Sequence, residues 1–239
     1  LLVSKFIMFL SVKSWNRFGD FFPIFNLALL GEKLHKAARV ISAKCNQDLY
    51  IRLVSQFEVP NSIVIGAKEP DNVFLSKKYL DSHVENMMLF DTVSYLPDDI
   101  LTKVDRAAMA VSLETRVPFL DHTLFEFVCS LPLDMKLRNG VSKSILRDVL
   151  YRYVPRELVE RPKMGFGIPL DDWLRGPLKD WASNLLAPEL LDEQGFFRSA
   201  PITKMWDEHM SGKRNWQNQL WIILMFQSWY QVNFKFDVG

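Results

Sequence analysis

The chain has 239 residues, of which 49% are hydrophobic and 24% charged, and its formal net charge at pH 7 is +1. This composition is typical of a globular protein with a large core, and the balanced charge gives no reason to expect nucleic acid or an acidic membrane as a partner. The two cysteines, Cys45 and Cys129, form neither a disulfide framework nor a zinc motif, which favours a reducing, cytoplasmic compartment. The four histidines are scattered, so we predict no metal site.

The first residues indicate that the chain begins inside a longer protein. Residue 1 is Leu1, and the apolar run that it opens has no basic leader and no cleavage site of small residues. The longest apolar runs fall far short of the roughly 18 residues that span a bilayer. We therefore expect a soluble protein of one large or two small domains.

Residues 1–59 are expected to form short helices. Leu2, Phe6 and Phe9 follow a helical stripe in the first, and Gly31 interrupts the second. A third helix is predicted over residues 43–57, before a connection at 60–76 in which a strand at 62–65 is only weakly indicated. Residues 77–95 then form a predicted helix with Leu80, Val84 and Met87 in register.

Residues 94–121 are the most informative stretch. Pro97 suits the first position of a helix, and Asp98 and Asp99 follow where negative charge complements the helix dipole. Leu101, Val104, Ala108 and Val111 recur at helical spacing and predict one buried stripe. Asp99, Lys103 and Arg106 share another face, and the pattern ends at Ser112.

The next elements are predicted to be helical as well. Asp121 suits the N-cap of a helix that ends before Pro132, and a turn is expected at Asn139–Gly140. Ser142 is predicted to cap a helix over residues 143–153. The remaining helices are rich in aromatic residues, and the last, over residues 215–232, is apolar nearly all round and expected to be buried together with its tryptophans.

An irregular loop at residues 161–169 places Lys163 among Gly165, Gly167 and two prolines. Glycines let backbone N–H groups approach an anion, and lysine adds a mobile positive charge. Without the Walker A spacing this is weak evidence, because a solvated turn has the same composition.

Three clusters of charged residues could converge on one anion. Such a site would present Lys103, Arg106, Lys143 and Lys163, with Asp99, Asp105 and Glu114 holding the cations in place. Fixed cations stabilise the negative charge that develops on phosphate oxygens. The alternative is a set of ion pairs that only join helices.

Residues 95–122, YLPDDILTKVDRAAMAVSLETRVPFLDH, are followed by SLP, by KSILR and by RPKMGFGIPL. This ordered series closely resembles the C-terminal part of glutamine-hydrolysing asparagine synthetases, strongly over residues 95–173. The resemblance implies two steps with ATP and Mg²⁺. Aspartate attacks ATP to give β-aspartyl-adenylate and pyrophosphate, and ammonia from glutamine then displaces AMP.

The resemblance also implies roles for individual residues. Lys163 matches the lysine that contacts pyrophosphate, and Arg106 stands where the family has a basic residue near the phosphates. Glu114, Arg116 and Asp121 match the ExRxPFLD element, which organises the site. Supporting positions with less definite roles are Lys103, Asp105, Lys143, Gly165 and Gly167, with Arg147 alongside Lys143 in the KxxLR match.

Several family elements are absent from this sequence, namely the nucleophilic cysteine, the SGGxDS pyrophosphate loop and the acidic segment after it. We therefore expect a mainly α chain, the C-terminal helical part of an α/β synthetase domain of the PP-loop ATP pyrophosphatase (adenine-nucleotide alpha-hydrolase-like) type, with most of the sheet missing. Residues 1–239 would form one partial asparagine synthase domain that is inactive alone. Its expected partners are the glutaminase and PP-loop portions of the same protein, and a homodimer is also considered.

Two other functions stay open at this point. The first is an amidotransferase of the same family that acts on a different carboxylate, in polysaccharide or secondary-metabolite assembly. The second is a helical interaction module without catalysis, in which the charged residues only stabilise the fold.

Overall fold

The computed structural model of the protein describes residues 2–10, 14–15, 30–57, 59–68, 80–161 and 167–234. Within these ranges the chain is mainly helical, as predicted, and it divides into two compact units. The flanking unit comprises Leu1–Ser76 and Ile168–Gly239, and the middle unit is Lys77–Gly167.

The elements follow one another in chain order. The flanking unit begins with α1 (Leu2–Phe9), α2 (Leu30–Ile41) and α3 (Asn46–Val54). The middle unit contains α4 (His83–Val93), a π-helical turn (Leu96–Leu101), α5 (Thr102–Met109), a 3-10 turn (Pro118–Leu120), α6 (His122–Ser130), α7 (Leu133–Lys136), β1 (Leu137–Arg138), β2 (Val141–Ser142), α8 (Ser144–Leu150) and α9 (Arg156–Val159). The flanking unit resumes with α10 (Leu170–Arg175), α11 (Lys179–Leu185), α12 (Pro188–Gln194), α13 (Ser199–Met210) and α14 (Gln217–Asn233).

The core of the flanking unit forms mainly where α10 to α14 pack together. Its buried cluster includes Leu174, Leu191, Ile202, Leu220 and Leu224, each fully inaccessible to solvent. In α14 the buried positions recur every three or four residues, which places them on one helical face. The prediction that this last helix is buried all round is therefore wrong. Its opposite face is open, with Trp229 52% and Val232 78% exposed.

The first helices bury a different face from the predicted one. Phe6 and Phe9 are 63% and 85% exposed, whereas Ile7 is buried in α1. Gly31 lies inside α2 and does not interrupt it. The apolar spacing located α1 correctly but did not identify the side that is covered. The second predicted helix, over residues 24–34, lies largely outside the described residues.

The weakly indicated strand at residues 62–65 forms only an isolated bridge. Val64 pairs antiparallel with Phe197, and the backbone N–H of Arg198 donates to the carbonyl of Ile63 at 2.8 Å. Ile63 and Phe197 are both buried in the core of the flanking unit. The bridge therefore fixes this connection to the segment between α12 and α13.

In the middle unit, α4 is anchored at its N-terminus by side chains. Ser82 is the N-cap and accepts a hydrogen bond from the Glu85 backbone N–H at 3.3 Å. The buried Asn86 donates to the carbonyls of Leu80 and Ser82 and accepts from the Leu80 N–H. The helix faces inward with Asn86 and Phe90, whereas Val84, from the predicted register, is 38% exposed.

The hairpin after α7 is tighter than predicted. Asn139 and Gly140 both have positive φ, at 50° and 78°, and join β1 to β2 through Arg138↔Val141 and Leu137↔Ser142 pairs. Two successive residues in this conformation favour a two-residue hairpin, and Asn-Gly is its preferred sequence. Ser142 consequently belongs to β2 and is not the predicted helix cap. Lys143 occupies the N-cap position instead.

Apolar side chains of the middle unit are widely exposed. The predicted stripe of α5 is interrupted, because Ala108 is buried but Val111 is 75% exposed. On α6, Leu124, Phe125 and Val128 keep their helical spacing yet are each more than a third exposed. Across the residues described, no helix combines the length and apolar character that crossing a membrane requires.

Candidate functional site

The candidate cations of α5 lie on an exposed helical face. The turn before this helix is π-helical, and the hydroxyl of Thr102 donates to the carbonyl of Pro97 at 2.8 Å. Lys103, Asp105 and Arg106 are all exposed, and none forms an ion pair with another residue that the structure describes. The two cations are therefore available to an external anion.

Asp99 has a different partner from the expected cations. The carboxylate of Asp99 lies near the Tyr95 hydroxyl, and its interaction with that hydroxyl raises the pKa of Tyr95. A tyrosine at this position gave no signal in the sequence.

The ExRxPFLD element forms an exposed turn. Helix α5 ends at Met109, and Ser112 lies in the turn that follows, with φ of 58°. Arg116 then donates to Glu114 Oε1 at 2.7 Å. The two side chains are 85% and 72% exposed, so this pair contributes little to stability. Asp121 acts as the predicted N-cap, since it accepts from the Leu124 N–H at 3.1 Å. Glu114 is thus paired with Arg116, and Asp121 positions α6.

Lys143 is held in an unusual backbone conformation. Its φ of 60° and ψ of 36° are left-handed, which costs a non-glycine residue free energy unless neighbouring contacts enforce it. Those contacts come from the buried Ser144, whose hydroxyl accepts from the Arg138 N–H and donates to the Val141 carbonyl. The Lys143 side chain itself is exposed.

Three side chains that follow one another along the sequence form a hydrogen-bonded chain that the sequence did not reveal, here called the anchor: Arg147, Tyr151 and Glu160. Arg147 donates to the Ser142 carbonyl at 3.1 Å and to the Tyr151 hydroxyl at 3.3 Å. The Tyr151 hydroxyl in turn donates to Glu160 Oε1 at 2.6 Å, and the Arg156 guanidinium lies 4.6 Å from the centre of the Tyr151 ring. The hydrogen bond to Tyr151 is the main cause of a raised pKa at Arg147. The i,i+4 spacing of Arg147 and Tyr151 was the available signal.

The glycine loop lies largely outside the described residues, and with it Lys163 and Gly165. Gly167 is described and exposed, and nothing lies within 4 Å of where a Cβ atom would stand. Among the predicted site residues that the structure describes, Glu114 and Arg116 contact each other. The described contacts pack α5 against the π-helical turn and α8 against α7, so Arg106 and Lys143 belong to different packing pairs. The convergence of the predicted cations therefore stays a prediction.

Potential metal ligands do not cluster among the described residues, where no three His, Cys, Asp or Glu side chains could hold an ion together. Of the histidines, His209 is fully buried in the flanking unit. Its Nδ1 accepts from the Trp216 N–H at 3.3 Å, and its Nε2 lies 3.6 Å from Asp171 Oδ1. This geometry suits a neutral imidazole that joins three segments.

Comparison with known proteins gives consistent results. The model of the asparagine synthase family matches residues 11–231. A glutamine-hydrolysing asparagine synthetase of Bacillus subtilis is 30% identical over 154 residues, which cover 64% of this chain and 24% of that protein. A putative glutamine-hydrolysing asparagine synthetase of Mycobacterium tuberculosis H37Rv is 37% identical over 154 residues, covering 62% and 23%.

The mouse glutamine-hydrolysing asparagine synthetase is 31% identical over 140 residues, covering 52% of this chain and 25% of that protein. The matched region thus spans about a quarter of the length of these curated relatives. A search of solved structures gave no significant match.

Proposed function

The chain belongs to the asparagine synthase family, and from this premise we propose that its middle unit supplies one wall of the ATP site of an asparagine synthetase. The other wall would be the PP-loop portion with its SGGxDS sequence, which the 239 residues do not contain. The reaction proposed is an ATP-dependent carbon–nitrogen ligation with glutamine as amide donor.

The observation that carries this proposal is the cationic face of α5. Lys103 and Arg106 are exposed one helical turn apart, and neither is neutralised by a described carboxylate. Their neighbours Glu114 and Arg116 pair with each other, so Glu114 does not compete for them. A pair of unneutralised cations on a rigid helix suits the binding of a polyphosphate.

In the proposed reaction, a β-carboxylate oxygen of aspartate attacks the α-phosphorus of magnesium-bound ATP. A phosphorus–oxygen bond forms to give β-aspartyl-adenylate, and the bond to the β-phosphate breaks to release pyrophosphate. Ammonia then attacks the acyl carbon, loses a proton, and expels AMP to give asparagine. Lys163 and Arg106 would stabilise the charge that develops on the leaving pyrophosphate.

The anchor formed by Arg147, Tyr151 and Glu160 supports the role of Lys163. Glu160 lies three residues before Lys163 in the sequence, and its carboxylate is fixed by the Tyr151 hydroxyl. We propose that this contact restrains the start of the glycine loop, because preorganisation of a charged group strengthens its effect on a transition state. Gly165 and Gly167 would allow the backbone to approach a phosphate.

The exposed apolar side chains of the middle unit mark where we propose that the rest of a family domain packs. Val111, Phe119 and Phe127 are each more than half exposed. A contiguous apolar surface is typical of an interaction site, and we propose that these side chains contribute to one. The proposed partners are the PP-loop and glutaminase portions of a synthetase, and a second copy of the chain is a further candidate.

The test uses a complete synthetase that contains these residues. Lys163→Ala should lower pyrophosphate release and asparagine formation by about 100-fold or more, because the charge on the leaving group loses its partner. Arg106→Ala should lower both by about tenfold. Glutaminase activity should be unchanged in both, and Lys179→Ala in α11 is the matched control.

Normal asparagine synthesis in Lys163→Ala would overturn the proposal. The 239-residue chain alone should form neither AMP nor asparagine from ATP, aspartate and ammonia, and robust turnover would contradict the two-wall site. If the complete protein releases pyrophosphate only with a carboxylate other than aspartate, the amidotransferase alternative is correct.

A further inference from the structure

The flanking unit contains a groove of about 670 Å³ that the proposed site does not use. One side is formed by α2, α3 and the segment after α3, and the other by α13 and the start of α14. Gln219 of α14 closes the gap between the sides by donating to the Gln56 carbonyl at 3.0 Å. The groove therefore lies wholly within one compact unit.

The described charged side chains that line this groove are all basic. Lys36, Arg39, Arg52 and Arg214 line it, and none of the described lining residues is acidic. The carboxylate of Asp48, which does not line the groove, contacts the Arg52 guanidinium at 2.6 Å. Three carboxylates could offset these four cations, namely Asp48, Glu208 and Glu58, of which Glu58 lies between two lining residues in the sequence. The cations remain in excess even when all three are counted.

Two of the cations, Arg52 and Arg214, are held in place by other contacts. The Arg52 guanidinium also donates to the Arg39 carbonyl and to the Ser42 hydroxyl, at 3.1 and 2.9 Å. On the opposite side, the Arg214 guanidinium lies 3.7 Å from the centre of the Trp216 ring. Fixed guanidinium groups lose little conformational entropy when they bind an anion.

The floor of the groove is apolar. Ile63 and Met205 are buried beneath it, and Phe57 and Trp216 are half-buried along it. The Trp216 indole N–H donates to Glu208 Oε2 at 2.9 Å, which fixes the plane of the ring. Burial tends to raise the pKa of Glu208. The hydrogen bonds from Trp216 and Lys213, together with the positive charges of Lys213 and Lys204, lower this pKa overall. The carboxylate therefore remains ionised and keeps Trp216 in position.

We propose that this groove binds a small organic anion in which a phosphate or carboxylate group is joined to a planar apolar group. The anionic group would contact Arg214 and Arg39 from the two sides, where charge-assisted hydrogen bonds are strongest. The planar group would pack against Trp216 and Phe57 over the apolar floor. This inference does not depend on the proposed synthetase activity, since it involves another unit and other residues.

The experiment uses the ¹⁵N-labelled 239-residue chain and follows the indole N–H signal of Trp216, assigned by its loss in Trp216→Phe. Four probes are titrated, namely phenyl phosphate, benzoate, benzyl alcohol and inorganic phosphate. We expect a saturable shift with phenyl phosphate or benzoate, and affinity at least about tenfold weaker for the alcohol and for inorganic phosphate, because each lacks one of the two binding features. The stronger of the first two identifies the anionic group.

Arg214→Gln and Arg39→Gln should each weaken the best probe by about tenfold, because each removes a charge-assisted contact. Lys179→Gln, an exposed cation outside the groove, should leave the affinity unchanged. The two arginines lie on opposite sides, so Arg39→Gln decides the result if Arg214→Gln does not fold.

Three outcomes would overturn the inference. The first is that no probe shifts the Trp216 signal saturably. The second is that benzyl alcohol binds as tightly as the anions, which would show an apolar cleft without selectivity for charge. The third is that the Arg214→Gln and Arg39→Gln variants bind the best probe with unchanged affinity, which would show that these arginines do not form the site.

Discussion

The flanking and middle units differ in how they use their apolar residues. In the flanking unit the helices α10 to α14 bury a continuous cluster in which Leu174, Ile202 and Leu224 are fully inaccessible. In the middle unit the buried residues that the structure describes are Asn86, Phe90, Ala108 and Ser144, and two of these are polar. Apolar side chains on α6 that are comparable in size to the buried Phe90 remain exposed.

This difference indicates that the two units are stabilised by different kinds of interaction. Apolar burial stabilises the flanking unit by roughly 25 cal/mol for each square ångström removed from water. The middle unit is ordered locally by caps and turn contacts, such as Ser82 and Asp121 at helix N-termini and the Ser144 hydroxyl beside the hairpin. The unit that carries the candidate site is thus the one with less buried core, which agrees with the proposal that another segment covers it.

The largest expected effect is the loss of a core side chain. Leu224→Ala should lower the free energy of unfolding by about 3 kcal/mol, since it removes a fully buried side chain and leaves a cavity. Val232→Ala on the same helix, 78% exposed, is the control and should change it little. Urea denaturation measures both. Equal effects would contradict the assignment of one buried face to α14.

In the middle unit we expect a smaller effect from a polar residue. Asn86→Ala should cost about 2 kcal/mol, because the backbone groups of Leu80 and Ser82 lose their hydrogen-bond partner. Amide hydrogen exchange should show the loss of protection at the start of α4. Met88→Ala, on the exposed side of that helix, should leave protection intact. If the Met88 variant is the more damaging, apolar packing governs this unit after all.

The smallest expected effect depends on pH and concerns His209. Burial lowers the pKa of His209, with a further contribution from Arg175, while Asp171 opposes the shift. Protonation would also place a proton on Nδ1, which accepts from the Trp216 N–H.

Because the pKa is lower in the folded state than its ordinary value of 6.5, this contribution to stability is complete above pH 6.5. It is lost as the pH falls towards and through the folded-state pKa, at no more than about 1.4 kcal/mol per pH unit. Urea unfolding between pH 7.5 and 5 measures this dependence. His209→Asn should flatten it over this range, and an unchanged slope would assign the dependence to another group.

The sequence predicted most where a local rule sufficed. The Asp121 cap and the Asn139–Gly140 turn each depend on neighbouring residues, and the structure confirms both. The sequence placed the end of α5 at Ser112, three residues after the observed end at Met109. It failed at Ser142, because a capping serine and a strand serine have the same local sequence. The hairpin pairing with Leu137 decided between them.

In the candidate site, too, some features could be predicted from neighbouring residues and others could not. The position of Lys103 and Arg106 on one face of α5 follows from the helical period, and the sequence predicted it. Their exposure to solvent is a finding of the structure. The anchor from Arg147 through Tyr151 to Glu160 needed three-dimensional information, because it joins residues 13 positions apart across a helix end. Lys163 and Gly165 lie outside the described residues, so their role continues to depend on the family relationship.

By itself, the sequence determined the mainly helical class, the family and the cationic face of α5, because helical spacing, caps and ordered motifs are properties of neighbouring residues. The tertiary structure decided which side of each helix is covered, since burial depends on segments far apart in the chain. For this reason the cationic face of α5 was predictable, whereas the groove between Arg39 and Arg214 was not. Its residues belong to segments that the whole middle unit separates in the sequence.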